Sequence, residues 1–172
     1  TYSLRARSAE EIVARDFLCF AEPDAAVVVC DATCLERGLL LVMQVLETCP
    51  RTLLCVNLLD EAEKRQIAID LPQLEQLLGI PVVGMAARSG TGMPEFQQRL
   101  FDLLHQPAPQ PLPCPVPEQL EQPLEQIQNE LPENLCGLQR EWTARRLLEP
   151  EPELHEKIAA HGNISLEIPA LS

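Results

Sequence analysis

Short apolar runs recur along the first hundred residues, and each is followed by a polar loop. Residues 25–30 read AAVVVC, residues 51–56 read RTLLCV and residues 81–85 read PVVGM. Continuous apolar runs of this length are typical of strands buried on both faces of a sheet. We therefore predict three buried strands.

Segments with helical spacing separate these runs. A capping box at Ser8 and Glu11 precedes a helical stripe of Val13, Phe17 and Phe20. Strands that alternate with helices over short connections predict a parallel sheet covered by helices, with right-handed crossovers. Further helices are predicted over residues 35–47, 70–79 and 93–104.

A proline-rich run divides the chain. Residues 106–117 read QPAPQPLPCPVP, which excludes a helix or a central strand and predicts an extended connector. In the glutamate-rich segment that follows, we expect Trp142 and Leu147 to pack a small helical bundle with the neighbouring arginines outside. Binding of an anionic partner by these arginines stays open as an alternative. They are Arg140, Arg145 and Arg146.

Composition narrows the class of protein. The 172 residues are 46% hydrophobic and 3% aromatic, which allows one packed domain and a small second one with an aliphatic core. The net charge of -13 argues against nucleic acid and anionic lipid as partners. No stretch approaches the roughly 18–20 apolar residues of a membrane span, so we expect a soluble domain. The seven cysteines, without a CxxC pair, are predicted to be reduced thiols, and we expect no metal site.

Two polar loops follow the second and third predicted strands. Residues 57–60 read NLLD, an NxxD sequence, and residues 86–90 read AARSG. In parallel sheets, ligands bind beyond the carboxyl ends of the strands. A carboxylate there can accept hydrogen bonds from two adjacent donors of guanine, the ring N–H and the exocyclic amine. Adenine presents an acceptor at the matching ring position, so such a site rejects it.

On this interpretation, Asp60 selects guanine, and Asn57 ties the two loops together while touching the base. The backbone N–H of Ala87 donates to the guanine carbonyl, and Arg88 lies along the base or ribose. An isolated NxxD sequence is more often a solvated turn, but its position after a strand and the second loop favour guanine recognition. The full predicted set is Asn57, Leu58, Leu59, Asp60, Ala86, Ala87 and Arg88.

Longer blocks of the sequence carry a family resemblance. The blocks are TYSL at residues 1–4, DATCLERGLLLVMQVLE at 31–47, NLLDEAEKRQIAID at 57–70, GIPVVGMAARSGTG at 79–92 and REWTARRLLE at 140–149. They resemble the FeoB-type ferrous-iron transport protein B, strongly over residues 1–105 and more loosely over the helical segment. Leu58 fits this family, although most small G proteins have lysine there, whereas Ala86 replaces the usual serine or threonine.

The resemblance implies an α/β fold, part of a Ras-like P-loop GTPase domain over residues 1–105, then a linker over 106–117 and a helical domain over 118–172. It also implies a parent GTPase that serves ferrous-iron uptake, with GTP or GDP as ligand and Mg²⁺ in the complete parent. The partner would be a membrane transport region, with this segment on the cytoplasmic side of the cell membrane. Two alternatives remain open: a non-catalytic interaction module with a degenerate G domain, and a fragment of another small GTPase.

Sequences that bind phosphate are not found in the 172 residues. No GxxxxGK[ST] motif is present, and the resemblance implies that a DxPG box lies immediately before the first residue. We therefore interpret the chain as a fragment and assign neither catalytic residues nor metal ligands. GTP hydrolysis by it alone is not expected, because phosphoryl transfer depends on the phosphate loop and magnesium. The resemblance implies that the first predicted strand lies beside the strand that carries the phosphate loop. Without that neighbour it would have an unpaired apolar edge, which predicts marginal stability or self-association. The second switch region would comprise Thr1, Tyr2, Ser3 and Leu4.

Overall fold

The structure, a computed structural model, describes residues 9–111 and 116–164. The chain forms two compact units, residues 1–113 and residues 114–172. Among the described residues, none of the helices combines the length and the apolar character that crossing a bilayer requires. The residues assigned to the second switch region, Thr1 to Leu4, lie outside the described part of the chain.

The first unit is a parallel sheet with helices on its faces. Three parallel strands are ordered β1-β2-β3, and Asp31 of β1 lies opposite Asn57 of β2. This confirms the predicted α/β architecture. The elements are α1 (Ala9–Phe20), β1 (Ala26–Asp31), a 3₁₀ turn (Ala32–Cys34), α2 (Leu35–Leu46), β2 (Thr52–Asn57), α3 (Leu59–Lys64), α4 (Leu71–Leu78), β3 (Val82–Gly84) and α5 (Met93–His105).

One face of the sheet carries the larger core. Val28 and Cys30 of β1 point into it, together with Val42 of α2 and Val56 of β2. Gly38 allows this packing, since a Cβ there would collide with the Cys30 sulfur. The fit explains why a glycine is kept inside α2, where it otherwise costs about 1 kcal/mol relative to alanine.

The opposite face is only partly covered. Leu53 and Val83 are fully buried there beneath Leu103 of α5. On the same side Val27 and Val29 of β1 alternate with the buried residues of that strand, and Val29 is 60% exposed. The sheet therefore has an apolar strip along β1 that none of the described helices covers.

The two edges of the sheet differ. At β3, the Glu75 carboxylate accepts a hydrogen bond from the Val82 N–H at 3.2 Å, and Arg99 holds the same carboxylate at 3.1 Å. A charged side chain of α4 thus bonds an outward N–H of the edge strand, which discourages pairing with another chain. At β1 the residues between Asp24 and Asp31 carry no charge, and Val27 and Val29 are exposed.

Two local features differ from the sequence-based expectation. The stripe on α1 does not face the core: Val13 and Phe17 are 69% and 59% exposed, whereas Arg15 is buried. Helical spacing identified the helix but not the side on which the sheet lies. A short helix, α3, also begins inside the NxxD sequence, where the sequence pattern predicts a loop.

The second unit contains three helices in its described part, α6 (Glu118–Glu130), α7 (Arg140–Leu147) and α8 (Pro152–Gly162). Trp142 and Leu147 are buried, as expected. The expectation that the arginines lie outside was wrong. Their side chains pack along the bundle because each has a specific acceptor nearby.

For Arg140 the acceptors are backbone carbonyls at the end of α6. For the other two arginines they are glutamate carboxylates. The Arg140 guanidinium donates to the carbonyls of Gln128, Leu131 and Pro132 at 2.6, 2.9 and 2.7 Å, which satisfies the carboxyl end of α6. The side chain of Arg145 is 16% exposed and pairs with Glu141, and that of Arg146 is 12% exposed and pairs with Glu149.

Candidate functional site

The two loops singled out in the sequence meet at the carboxyl end of the sheet. β2 ends at Asn57, and the neighbouring strand β3 runs through Met85 into the second loop. The Leu59 N–H donates to the Met85 carbonyl at 3.2 Å. The Ala87 N–H donates to Asn57 Oδ1 at 3.0 Å. The two loops are thus joined by a backbone bond and by a bond to a side chain.

The first loop makes an abrupt turn from strand to helix. Leu58 has a left-handed backbone with φ of 65°, an uncommon conformation for a branched side chain. Its carbonyl then accepts from the N–H groups of Glu61 and Ala62, both at 3.0 Å. The turn places the half-buried Asp60 in the first turn of α3, at the carboxyl end of β2. A leucine in this conformation costs roughly 1–2 kcal/mol, which the surrounding bonds offset.

The second loop is braced from within. The Ala86 N–H donates to the Thr91 carbonyl at 3.0 Å, and the Ser89 hydroxyl donates to the Ala86 carbonyl at 3.0 Å. The hydroxyls of Ser89 and Thr91 lie 2.8 Å apart. Sequence reasoning noted that Ala86 lacks the usual hydroxyl but missed these two residues. The two hydroxyl side chains of the SGT sequence at residues 89–91 could have indicated that the loop is braced from within.

Glycines set the shape of this loop. Gly90 and Gly92 have φ of 78° and 81°, a backbone region that favours glycine. A Cβ at Gly92 would collide with the Gly84 carbonyl oxygen of β3, whereas a Cβ at Gly90 would meet open space. Gly92 therefore lets the returning chain pass close to β3 before α5 begins.

Exposure varies among the predicted site residues. The loop after β2 is half-buried throughout, Ala86 is buried, and both Ala87 and Arg88 are exposed. The structure joins Asn57 directly to Ala87. Arg88 lies near Glu61, whose pKa is lowered mainly by its hydrogen bond with Lys64 and to a smaller extent by this guanidinium.

The end of β1 completes this edge of the sheet. Asp31 Oδ1 accepts from the Thr33 N–H at 2.7 Å, and this bond is the main reason that the pKa of Asp31 is lowered. Next to it, burial raises the pKa of the Cys30 thiol to about 11. Because this thiol stays protonated at neutral pH, it is a poor nucleophile.

Comparison with known proteins decides the family. The family described as "Ferrous iron transport protein B" has a profile that matches residues 1–100. The chain belongs to this family. The match includes both loops at the carboxyl end of the sheet.

Curated relatives are much longer than this chain. A Porphyromonas gingivalis protein, "Fe(2+) transport protein A/Fe(2+) transporter FeoB fusion protein", is 40% identical over 105 residues, which cover 60% of this chain and 12% of the relative. A Helicobacter pylori protein, "Fe(2+) transporter FeoB", is 43% identical over 89 residues, which cover 52% of this chain and 14% of the relative. The chain thus spans about one seventh or less of these relatives.

Two solved structures match over nearly the whole chain, and a third matches over part of it. The cytosolic domain of T. maritima FeoB in a GDP form aligns with a TM-score of 0.85 at 27% identity, covering 98% of this chain and 67% of that one. The cytosolic domain of L. pneumophila FeoB aligns with a TM-score of 0.80 at 30% identity, covering 99% and 70%. The FeoB G-domain from Methanococcus jannaschii matches 62% of this chain at 38% identity with a TM-score of 0.59.

Proposed function

We propose that residues 1–105 carry the guanine-reading part of the GTP-binding domain of a ferrous-iron transporter. The observation that carries this proposal is the hydrogen bond between Asn57 and Ala87, because it joins the NxxD loop to the AARSG loop at the carboxyl end of the sheet. Residues 106–117 then serve as the linker, and residues 118–172 as a helical domain. The segment would lie on the cytoplasmic side of the membrane, next to the transport region of the parent.

The donors and acceptors of the two loops suit guanine. Asp60 is half-buried at the start of α3, and its carboxylate can accept from the ring N–H and the amine of the base. The exposed Ala87 offers a backbone N–H for the guanine carbonyl, and Arg88 can lie over the base or ribose. The T. maritima relative was solved in forms named for GDP and GMPPNP, which supports a guanine nucleotide as the ligand.

The proposal covers base recognition and not phosphoryl transfer. The 172 residues contain no GxxxxGK[ST] motif, which cradles phosphates and holds Mg²⁺ in P-loop GTPases. GTP hydrolysis is therefore proposed for the parent protein, and we expect none from these residues alone. Affinity for nucleotide should also be modest, because phosphate contacts contribute much of the binding to such domains.

Titration with labelled nucleotides tests the proposal. The chain should bind GDP more tightly than ADP, and Asp60→Asn should weaken GDP binding by roughly a hundredfold or more, since two charge-assisted hydrogen bonds contribute about 1.5–3 kcal/mol each. The same variant should gain affinity for xanthosine diphosphate, whose ring carbonyl can accept from the new amide. Glu63→Gln, an exposed change in the same helix, is the matched control. Equal affinity of the native chain for GDP and ADP would remove the guanine assignment.

We also propose that the exposed strip of β1 promotes self-association. Val27 and Val29 are 39% and 60% exposed on an edge strand without a charged side chain between Asp24 and Asp31. Unpaired backbone next to apolar side chains favours pairing with another strand. An exposed apolar edge would also suit the alternative function, a non-catalytic interaction module. The titration with GDP and ADP distinguishes that alternative from nucleotide binding.

A further inference from the structure

We propose that a groove along the outer edge of β3 is a docking site for an extended peptide segment in which an apolar residue neighbours a lysine or arginine. This β3 groove has a volume of about 450 Å³, within the range of about 300–1,000 Å³ for ligand sites. None of the residues proposed to read guanine lines it, so peptide binding there does not require guanine recognition. The lining includes Leu71 and Pro72 of α4, Val82 and Gly84 of β3, and Glu95 and Arg99 of α5.

The floor of the β3 groove is the outer edge of the strand. Val83 pairs with Cys55 of β2, so the backbone groups of Val82 and Gly84 point away from β2. The Val82 N–H donates to Glu75 on that side. For the half-buried Gly84 N–H, no acceptor is found among the described residues of the chain. This N–H can donate to a peptide carbonyl, as in recognition by addition of a strand.

An ion pair limits the length of the segment that can bind. The Glu75 carboxylate accepts from the Val82 N–H at 3.2 Å and from Arg99 at 3.1 Å. Since α4 and α5 pack on opposite faces of the sheet, this ion pair crosses the edge of β3 at Val82. It prevents a strand from pairing along the whole of β3 but leaves the edge at Gly84 open. We therefore expect a short segment to bind.

The two walls of the β3 groove differ in chemistry. The α4 wall presents the apolar side chains of Leu71 and Pro72. On the α5 wall, the Glu95 side chain is 59% exposed and lies 3.9 Å from Arg99, at the limit of an ion pair. Its carboxylate can therefore take a second cation. Successive side chains of an extended segment point to opposite faces, so an apolar residue can pack against α4 while its neighbour reaches Glu95.

Charge favours a basic segment. Glu75, Glu95 and Arg99 leave one negative charge in excess in the β3 groove, and the whole chain carries a net charge of -13. Such a field attracts cationic segments and repels acidic ones. Lysine and arginine also have an apolar stem that can lie along a wall while the charged end reaches a carboxylate. A free polyamine has the charge but lacks a carbonyl for the Gly84 N–H.

NMR titration of the isotope-labelled full chain tests the proposal, with the blocked peptide acetyl-Val-Lys-Val-Lys-Val-amide as probe. The Gly84 amide signal should move downfield and its hydrogen exchange should slow, whereas the Val82 amide, already bonded to Glu75, should change less. Shifts confined to Val27 and Val29 would mean that the probe pairs with the β1 edge, and would overturn the proposal. An equal response of Gly84 to spermidine would also overturn it, because the β3 groove would then take any small cation.

Charge variants test the α5 wall. Glu95→Gln should weaken binding of the lysine peptide roughly two- to fivefold, as expected for the loss of one exposed ion pair. Glu36→Gln removes the same charge from an exposed position on α2 and should leave the affinity unchanged. The acidic peptide acetyl-Val-Glu-Val-Glu-Val-amide should not shift Gly84. Equal affinities of the two variants, or of the two peptides, would contradict the proposed recognition. Neither measurement involves GDP, so failure here would leave the guanine assignment intact.

Discussion

Two glycines of the AARSG loop permit a controlled test of how the site is built. Gly92→Ala and Gly90→Ala place the same methyl group at backbone positions with φ of 81° and 78°. The left-handed conformation alone costs alanine about 1–2 kcal/mol. This part of the free energy should be the same in both variants, so any difference between them reports the surroundings.

The surroundings differ sharply. At Gly92 the added Cβ would collide with the Gly84 carbonyl oxygen and would lie 2.9 Å from Met85 Cβ and 3.0 Å from Met85 Cα. These atoms follow directly from β3 and cannot move aside cheaply. Overpacking of this kind costs about 1–3 kcal/mol. We therefore expect Gly92→Ala to lose about 2–5 kcal/mol of stability and Gly90→Ala, which meets no atom within 4 Å, about 1–2 kcal/mol.

Native-state hydrogen exchange of the β2 amides gives the stability of the first unit directly. Tryptophan fluorescence cannot replace it, since the single tryptophan, Trp142, lies in the second unit. Native domains have a free energy of unfolding of about 5–15 kcal/mol. The loss in Gly92→Ala is therefore either measurable or large enough to unfold much of the first unit. If the two variants lost the same stability within about 0.5 kcal/mol, the close approach of Gly92 to β3 would not matter, and our account of the loop would be wrong.

Two further predictions concern features outside the loops. Arg140→Lys should destabilise the second unit by about 1–3 kcal/mol, because an ammonium group cannot donate to three carbonyls in the planar arrangement of a guanidinium. Trp142 fluorescence in urea measures this loss. Unchanged stability would contradict the role of Arg140 at the end of α6. Val29→Lys should reduce self-association in analytical ultracentrifugation. Val13→Lys should not, because Val13 is somewhat more exposed than Val29 but lies on a helix whose backbone is already bonded. A native chain that stays monomeric at high concentration would refute the proposed association.

Several parts of the fold followed from local sequence. Valine-rich runs and capping residues depend on neighbours within a few positions, so they predicted the strands and most helices. Parallel strands share one carboxyl edge, so the two polar loops were expected to meet. For the same reason, the sequence predicts Asn57, Asp60 and Ala87 at one site.

Other features required the three-dimensional arrangement. The left-handed turn at Leu58 is not a preference of leucine and exists because bonds on both sides hold it. The exposed stripe of α1 has the same spacing as a buried one, so only the position of the sheet distinguishes them. Arg140 meets its acceptors across a chain reversal that no periodicity describes.

The sequence by itself determined the family, the succession of the three strands and of the helices other than α3, and the residues proposed to read guanine, since all of these depend on side-chain type and spacing along the chain. Tertiary structure alone decided that the link between the loops is a bond from the Ala87 amide to Asn57 Oδ1, that Ser89 braces the second loop, and that Val13 and Phe17 of α1 face outward. The physical reason is that such contacts join residues up to 30 positions apart, and their geometry is set by how the sheet and helices pack.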